Sequence, residues 1–126
     1  MMQTTNNILL VRPTNFGFNP ETAGSNAFQK ATGEDDSIIR KRAIEEFEAA
    51  LKVLREAGVS VIVCDDSLEP VKTDAVFPNN WISCHADGKV VLYPLLSPNR
   101  RHERRTEIIE ILRETFVIDN IIDLTH

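Results

Sequence analysis

The chain has 126 residues, 42% hydrophobic and 26% charged, the make-up of a soluble globular domain with enough apolar side chains for one core. A formal net charge of -5 argues against a general nucleic-acid or anionic-membrane binder, and no apolar run nears the roughly 20 residues that span a bilayer. Nothing at the N-terminus shows the basic-then-apolar pattern of a secretion signal, and Cys64 and Cys84 sit in apolar, strand-like runs, so a reducing cytoplasm is the expected compartment.

Taken in order, Ile8 to Val11 is a short apolar run stopped by Arg12-Pro13, which reads as a buried strand ended by proline. From Thr14 to Asp35 Asn, Gly, Pro, Thr and Ser recur, and Phe16, Phe18 and Phe28 are the large apolar residues. This predicts a long loop, of a length that in compact domains is usually functional or mobile. Asp35 or Asp36 can then cap a helix, on which Ile39, Ala43, Ile44, Phe47, Ala50, Leu51 and Leu54 recur at helical spacing before Gly58 ends it. Val59 to Cys64 follows as a strand, completing an order consistent with a βαβ unit. Trp81 to Ala86 and Lys89 to Leu95 flank Asp87-Gly88, a pair favoured in type I′ hairpin turns. Past Pro98, a second helix is marked by Ile108, Ile109, Ile111, Leu112 and Phe116, and Val117 to Leu124 is a last strand.

Two groups of residues could carry chemistry. Asn79 and Asn80 lie between Pro78, which fixes the backbone, and Trp81, whose indole can wall a pocket. A carboxamide has a donor and an acceptor end, so it can meet a urea-like group or a guanidinium without bringing charge; two asparagines beside a proline also simply make a turn. Arg100, Arg101, Arg104 and Arg105 fall where the first turns of the second helix are expected, an end at which cations are disfavoured by about 0.3–1 kcal/mol each. One account is that an arginine turns into a pocket and grips a carboxylate with its two-pronged fork. The other is a solvated face with Arg100–Glu103 and Arg104–Glu107 pairs at about 0.2–0.5 kcal/mol each.

Other combinations carry less. Cys84 and His85 are strand neighbours pointing to opposite faces, and His85, His102 and His126 lack zinc-ligand spacing. Asp65-Asp66 is similar to the acidic pair of phosphoryl-accepting receiver domains, but the later aspartate and lysine of that pattern are missing. The five glycines never cluster into a phosphate loop, and neither metal nor cofactor is expected.

The run Val11-Arg12-Pro13, Phe16 to Ala23, Asn26 with Phe28-Gln29, Val76 to Ser83, His85 with Asp87-Gly88, Leu92-Tyr93-Pro94, and Asn99-Arg100-Arg101 with Glu103-Arg104-Arg105 resembles the amidinotransferase-like branch of the guanidino-group modifying superfamily. It is most similar to citrulline-utilization hydrolases and dimethylarginine-hydrolase-like proteins. The resemblance implies an α/β fold, a partial pentein (α/β-propeller) made of the first ββαβ-type modules. Residues 1–126 would then be one N-terminal segment of a catalytic domain, truncated after residue 126.

Such enzymes attack a guanidino or ureido carbon with a cysteine, aided by a histidine and acidic partners. By the resemblance, the cysteine and the histidine have no counterpart in this chain, so the segment is expected to bind substrate without catalysing turnover. By the resemblance, Asn80 stands where an aspartate holds the guanidinium in arginine deiminases, and Arg100, with Arg101 beside it, stands where an arginine holds the substrate carboxylate. Phe77, Asn79 and Asn19 complete the expected contacts, with Phe16 to Glu21 helping to cover the pocket. A neutral ureido group, as in citrulline, suits an amide at position 80. The expected partner is a small amino-acid substrate, with neither nucleic acid nor membrane, and an exposed module edge could drive self-association. The alternative is a naturally short, non-catalytic module binding a zwitterionic amino acid.

Overall fold

In the computed structural model, residues 4–25, 33 and 35–126 are described. Strand β1, Asn7–Val11, pairs in parallel with β2, Ser60–Cys64, from Asn7 opposite Ser60 to Val11 opposite Cys64. Between them lie the short helix α1, Pro20–Ala23, and the long helix α2, Asp36–Glu56, so the expected βαβ crossover forms. Asp35 caps α2 by accepting from the Ser37 N–H, which also lowers its carboxyl pKa, and Gly58 follows the helix at φ 83°. Phe47 and Leu51 are the buried members of the α2 stripe; Ile39, Ala43, Ile44 and Leu54 are half-buried and Ala50 is exposed.

A second sheet holds β3, Ile82–Cys84, antiparallel to β4, Lys89–Leu92, and β4 in turn parallel to β5, Asn120–Asp123. The hairpin connecting β3 and β4 differs from the type I′ expectation. Gly88 alone takes positive φ, at 76°, while its N–H donates to His85 O and the His85 N–H donates to Lys89 O. The loop therefore holds three residues, Ala86 to Gly88, with a single left-handed position that glycine fills.

The arginine-rich segment also departs from expectation. Pro98–Glu103 is a 3-10 helix, and α3, Thr106–Arg113, begins only after an extended Arg105. Arg100 and Arg101 thus lie outside the first turn of α3, and the dipole penalty invoked for them does not apply. The loop expected over Thr14 to Asp35 is interrupted by α1, whose cap Asn19 accepts from the Glu21 N–H; Asn26, Phe28 and Gln29 lie outside the described residues.

The core gathers Val11, Cys64, Ala75, Trp81, Ile82, Val90, Leu95, Ile108, Ile109 and Leu112 from both sheets and α3. Trp81 is 1% exposed and belongs to this core, not to a pocket wall. Its burial seats the 3-10 turn Pro78–Asn80 just ahead of β3, because the Trp81 N–H closes that turn on Pro78 O and Trp81 O accepts from the Tyr93 N–H across the hairpin. The architecture is α/β, and among the described residues no helix is long and apolar enough to cross a membrane.

Candidate functional site

The two 3-10 segments meet beside α1 and bound an open cleft of about 210 Å³ lined by Thr22, Asp74, Phe77, Asn79, Asn80 and Arg100. Proline at the start of each segment fixes φ where no N–H is needed, so Asn80 and Arg100 project from short, backbone-determined turns. Although 20 residues apart, they touch: Arg100 Nη2 donates to Asn80 Oδ1 at 3.0 Å. Phe77, 45% exposed, supplies the apolar part of the wall.

Behind Arg100 stand two carboxylates. Glu103 accepts from Arg100 Nε and Nη2, both at 2.8 Å, in a side-on bidentate pair. Asp74 Oδ2 lies 3.7 Å from Arg100 Nε. The Arg100–Glu103 pair expected on a solvated surface therefore forms, but in the interior, with side chains only 14% and 1% exposed. Burial alone would lower the arginine pKa; the Glu103 hydrogen bond, its charge and that of Asp74 outweigh this and hold it above the ordinary value. For Glu103 burial dominates and, with Asp74 and Asp66 nearby, raises the carboxyl pKa despite the Arg100 contact.

Asp74 is oriented from its far side. Asn19 Nδ2 donates to Asp74 Oδ2 at 2.7 Å, and Asn19 Oδ1 accepts from Asn99 Nδ2 at 2.7 Å. At 1% exposure Asn19 does not line the cleft; it joins α1, the Asp74 turn and the second 3-10 helix. Arg101 also stays outside the cleft, where its Nε donates to Leu95 O. Of the six expected contacts, Phe77, Asn79, Asn80 and Arg100 come together, whereas Asn19 braces them and Arg101 faces elsewhere.

Sequence reasoning gave Asp74 and Thr22 no role, and considered Glu103 only as the partner of Arg100 on a solvated face, one of the two accounts left open. The available signal for Asp74 was an aspartate three residues before the Phe77-Pro78 step, in the turn that precedes the 3-10 segment carrying the asparagines. The Asp65-Asp66 pair proves to be structural: Arg12 Nε donates to Asp65 at 2.8 Å, while Asp66 lies 3.2 Å from the fully buried Lys72 ammonium and 3.3 Å from Arg105. Neither cysteine lines the cleft. Cys64 is 1% exposed, Cys84 is exposed at the end of β3, and desolvation of each sulfur raises its thiol pKa, the reverse of an activated nucleophile. Among the described residues no group of His, Cys, Asp and Glu could hold a metal ion.

The family model described as N,N dimethylarginine dimethylhydrolase, eukaryotic, matches residues 12–126. Comparison with curated proteins gives no match, and comparison with solved structures gives none either.

Proposed function

The chain belongs to the N,N dimethylarginine dimethylhydrolase family, a family of hydrolases, and from that membership we propose that it is the substrate-holding part of an enzyme that cleaves C–N bonds of guanidino or ureido amino acids. The observation that carries this reading is the meeting of Arg100, Asn80 and Asp74 on one small open cleft. Two of the five Arg100 N–H donors go to Glu103 and one to Asn80, with a longer Nη2 contact to Asp74 O, leaving the Nη1 pair without an acceptor among the described residues. That pair can take the substrate carboxylate. Asp74 Oδ1, which meets no donor among the described residues, can take the ammonium. Asn79, Asn80 and the Phe77 ring then flank the planar end of the substrate. Holding both ends removes rotational freedom before reaction, which is the share of catalysis a binding wall can supply.

In this reading the attacking thiolate comes from outside residues 1–126, since Cys64 is enclosed in the core and Cys84, whose thiol pKa desolvation raises, does not line the cleft. The fold is then a partial pentein, the first modules of an α/β-propeller. Calorimetric titration with Nω,Nω-dimethylarginine, arginine and citrulline tests it. Binding of at least one of them, weakened by Asn80→Ala, is expected, with no release of dimethylamine, ammonia or ornithine. Turnover by the 126-residue chain, or affinity indifferent to Asn80, would overturn it.

A further inference from the structure

Glu103 closes the 3-10 helix at 2% exposure, and it is not among the residues lining the cleft. An ionised carboxylate in that place is costly, and a well-packed apolar side chain would commonly stabilise a fold as well or better. What the carboxylate does achieve is geometric. By taking Nε and one Nη2 hydrogen of Arg100 along a single edge, it fixes both the plane and the rotation of the guanidinium. The second Nη2 hydrogen is thereby aimed at Asn80 Oδ1, 3.0 Å away, with a longer contact of 3.5 Å to Asp74 O, and the Nη1 pair is left over. Arginine can only donate, so the Asn80 atom it meets is the amide oxygen, and the Nδ2 hydrogens form the other end of that carboxamide.

We propose that Glu103 is a positioning residue that acts through Arg100 on Asn80, setting the cleft's hydrogen-bonding sense so that Arg100 Nη1 and Asn80 Nδ2 both offer donors to a planar oxygen acceptor, a carboxylate or a ureido carbonyl. What these donors bind rests on the substrate cleft proposed above; how they are held does not. Glu103 and Asn80 share no hydrogen bond, and Arg100 is the side chain that bonds to both.

The test is side-chain NMR on the 15N-labelled chain, reading the Arg100 Nε–H and the two Asn80 Nδ2 protons. In the wild type the Arg100 Nε–H should exchange with water at least about tenfold more slowly than a free arginine side chain, as a retained charge-assisted bond requires. Glu103→Gln should remove that protection and shift the Asn80 amide protons, and Glu103→Asp should restore part of both. Asn80 signals unmoved in a folded Glu103→Gln chain would overturn the proposal. Should that variant not fold, Arg100→Lys keeps the charge but loses the fork, and must shift the same Asn80 protons. A wild-type Arg100 Nε–H exchanging as fast as a free side chain overturns it regardless of the variants. For ligand sense, propanoate and N-propylurea should perturb the Asn80 Nδ2 protons more than N-propylguanidinium does, and the reverse order refutes the donor sense. If none of the three perturbs them, the substrate cleft itself is refuted, while the Glu103–Arg100–Asn80 arrangement still stands or falls on the exchange data.

Discussion

Replacing Arg100 by alanine should unfold part of the energetic logic around the cleft. The guanidinium lies between Glu103, whose side chain is 1% exposed, and Asp74, at 10%. Its removal leaves both Glu103 oxygens without the donors they now have. Breaking a buried ion pair from one side costs about 3–5 kcal/mol. Two features reduce this here: Arg100 retains some solvent contact, and Glu103, whose pKa is already raised, can take up a proton once its partner is gone. We therefore expect a loss of about 2–3 kcal/mol at pH 7, below the range for a fully buried pair. Pairing it with Glu103→Gln, which leaves a neutral amide in place of a stranded charge, should recover at least about 1 kcal/mol relative to the sum of the single changes. Urea denaturation followed by the fluorescence of the buried Trp81 reads all three variants. A single variant within about 0.5 kcal/mol of wild type, or an additive double variant, would refute the buried-pair reasoning.

Three further outcomes follow from the same geometry. The Glu103 carboxyl is raised above its ordinary value of 4.5, so the folded chain binds that proton more readily than the unfolded one, and the group's contribution to stability falls as pH rises through the window above 4.5. With Arg100, Asp74 and Asp66 facing it, wild type should gain stability relative to Glu103→Gln on acidification from pH 7 toward that window; a flat difference would contradict the assignment. In Gly88→Ala the new Cβ would stand 2.6 Å from Asp119 Oδ2 at a φ of 76°, so the urea midpoint should drop by the equivalent of about 1–2 kcal/mol; an unchanged midpoint would mean the hairpin loop is built differently. Finally, β5 is an edge strand with Ile122 36% exposed and, just past its end, Leu124 50% exposed, so sedimentation equilibrium should show concentration-dependent association that Ile122→Lys weakens; a monomer at all concentrations would remove that expectation.

Local signals in the sequence carried the elements they govern. The Asp35 cap, the α2 period and Gly58 mark a helix whose ends are set by nearby atoms, and the β1 and β2 runs pair as their apolar content implies. Where two local conformations share the same signal, the sequence did not separate them. Asp87-Gly88 fits a two-residue turn as well as the three-residue loop that forms, and Pro98 begins a 3-10 helix as readily as an α-helix.

The motifs in which Asn80 and Arg100 stand singled them out in the sequence, and both line the cleft. Their long-range partners were not legible there. Asp74 lies 3.7 Å from Arg100 only because the β3–β4 hairpin folds back, and a glutamate three residues after an arginine reads as a surface pair until the core is seen to cover it. Asn19 was picked out by resemblance to a contact residue, yet packing has made it the brace between three segments.

The most direct test of the central claim is a crystal structure of the chain soaked with a zwitterionic ligand such as citrulline or Nω,Nω-dimethylarginine. The account predicts the ligand in the Asp74–Asn80–Arg100 cleft, with a carboxylate oxygen about 3 Å from Arg100 Nη1 and the Glu103 pair intact. Ligand bound elsewhere, or a cleft left empty at saturating ligand with Arg100 unmoved, would contradict it.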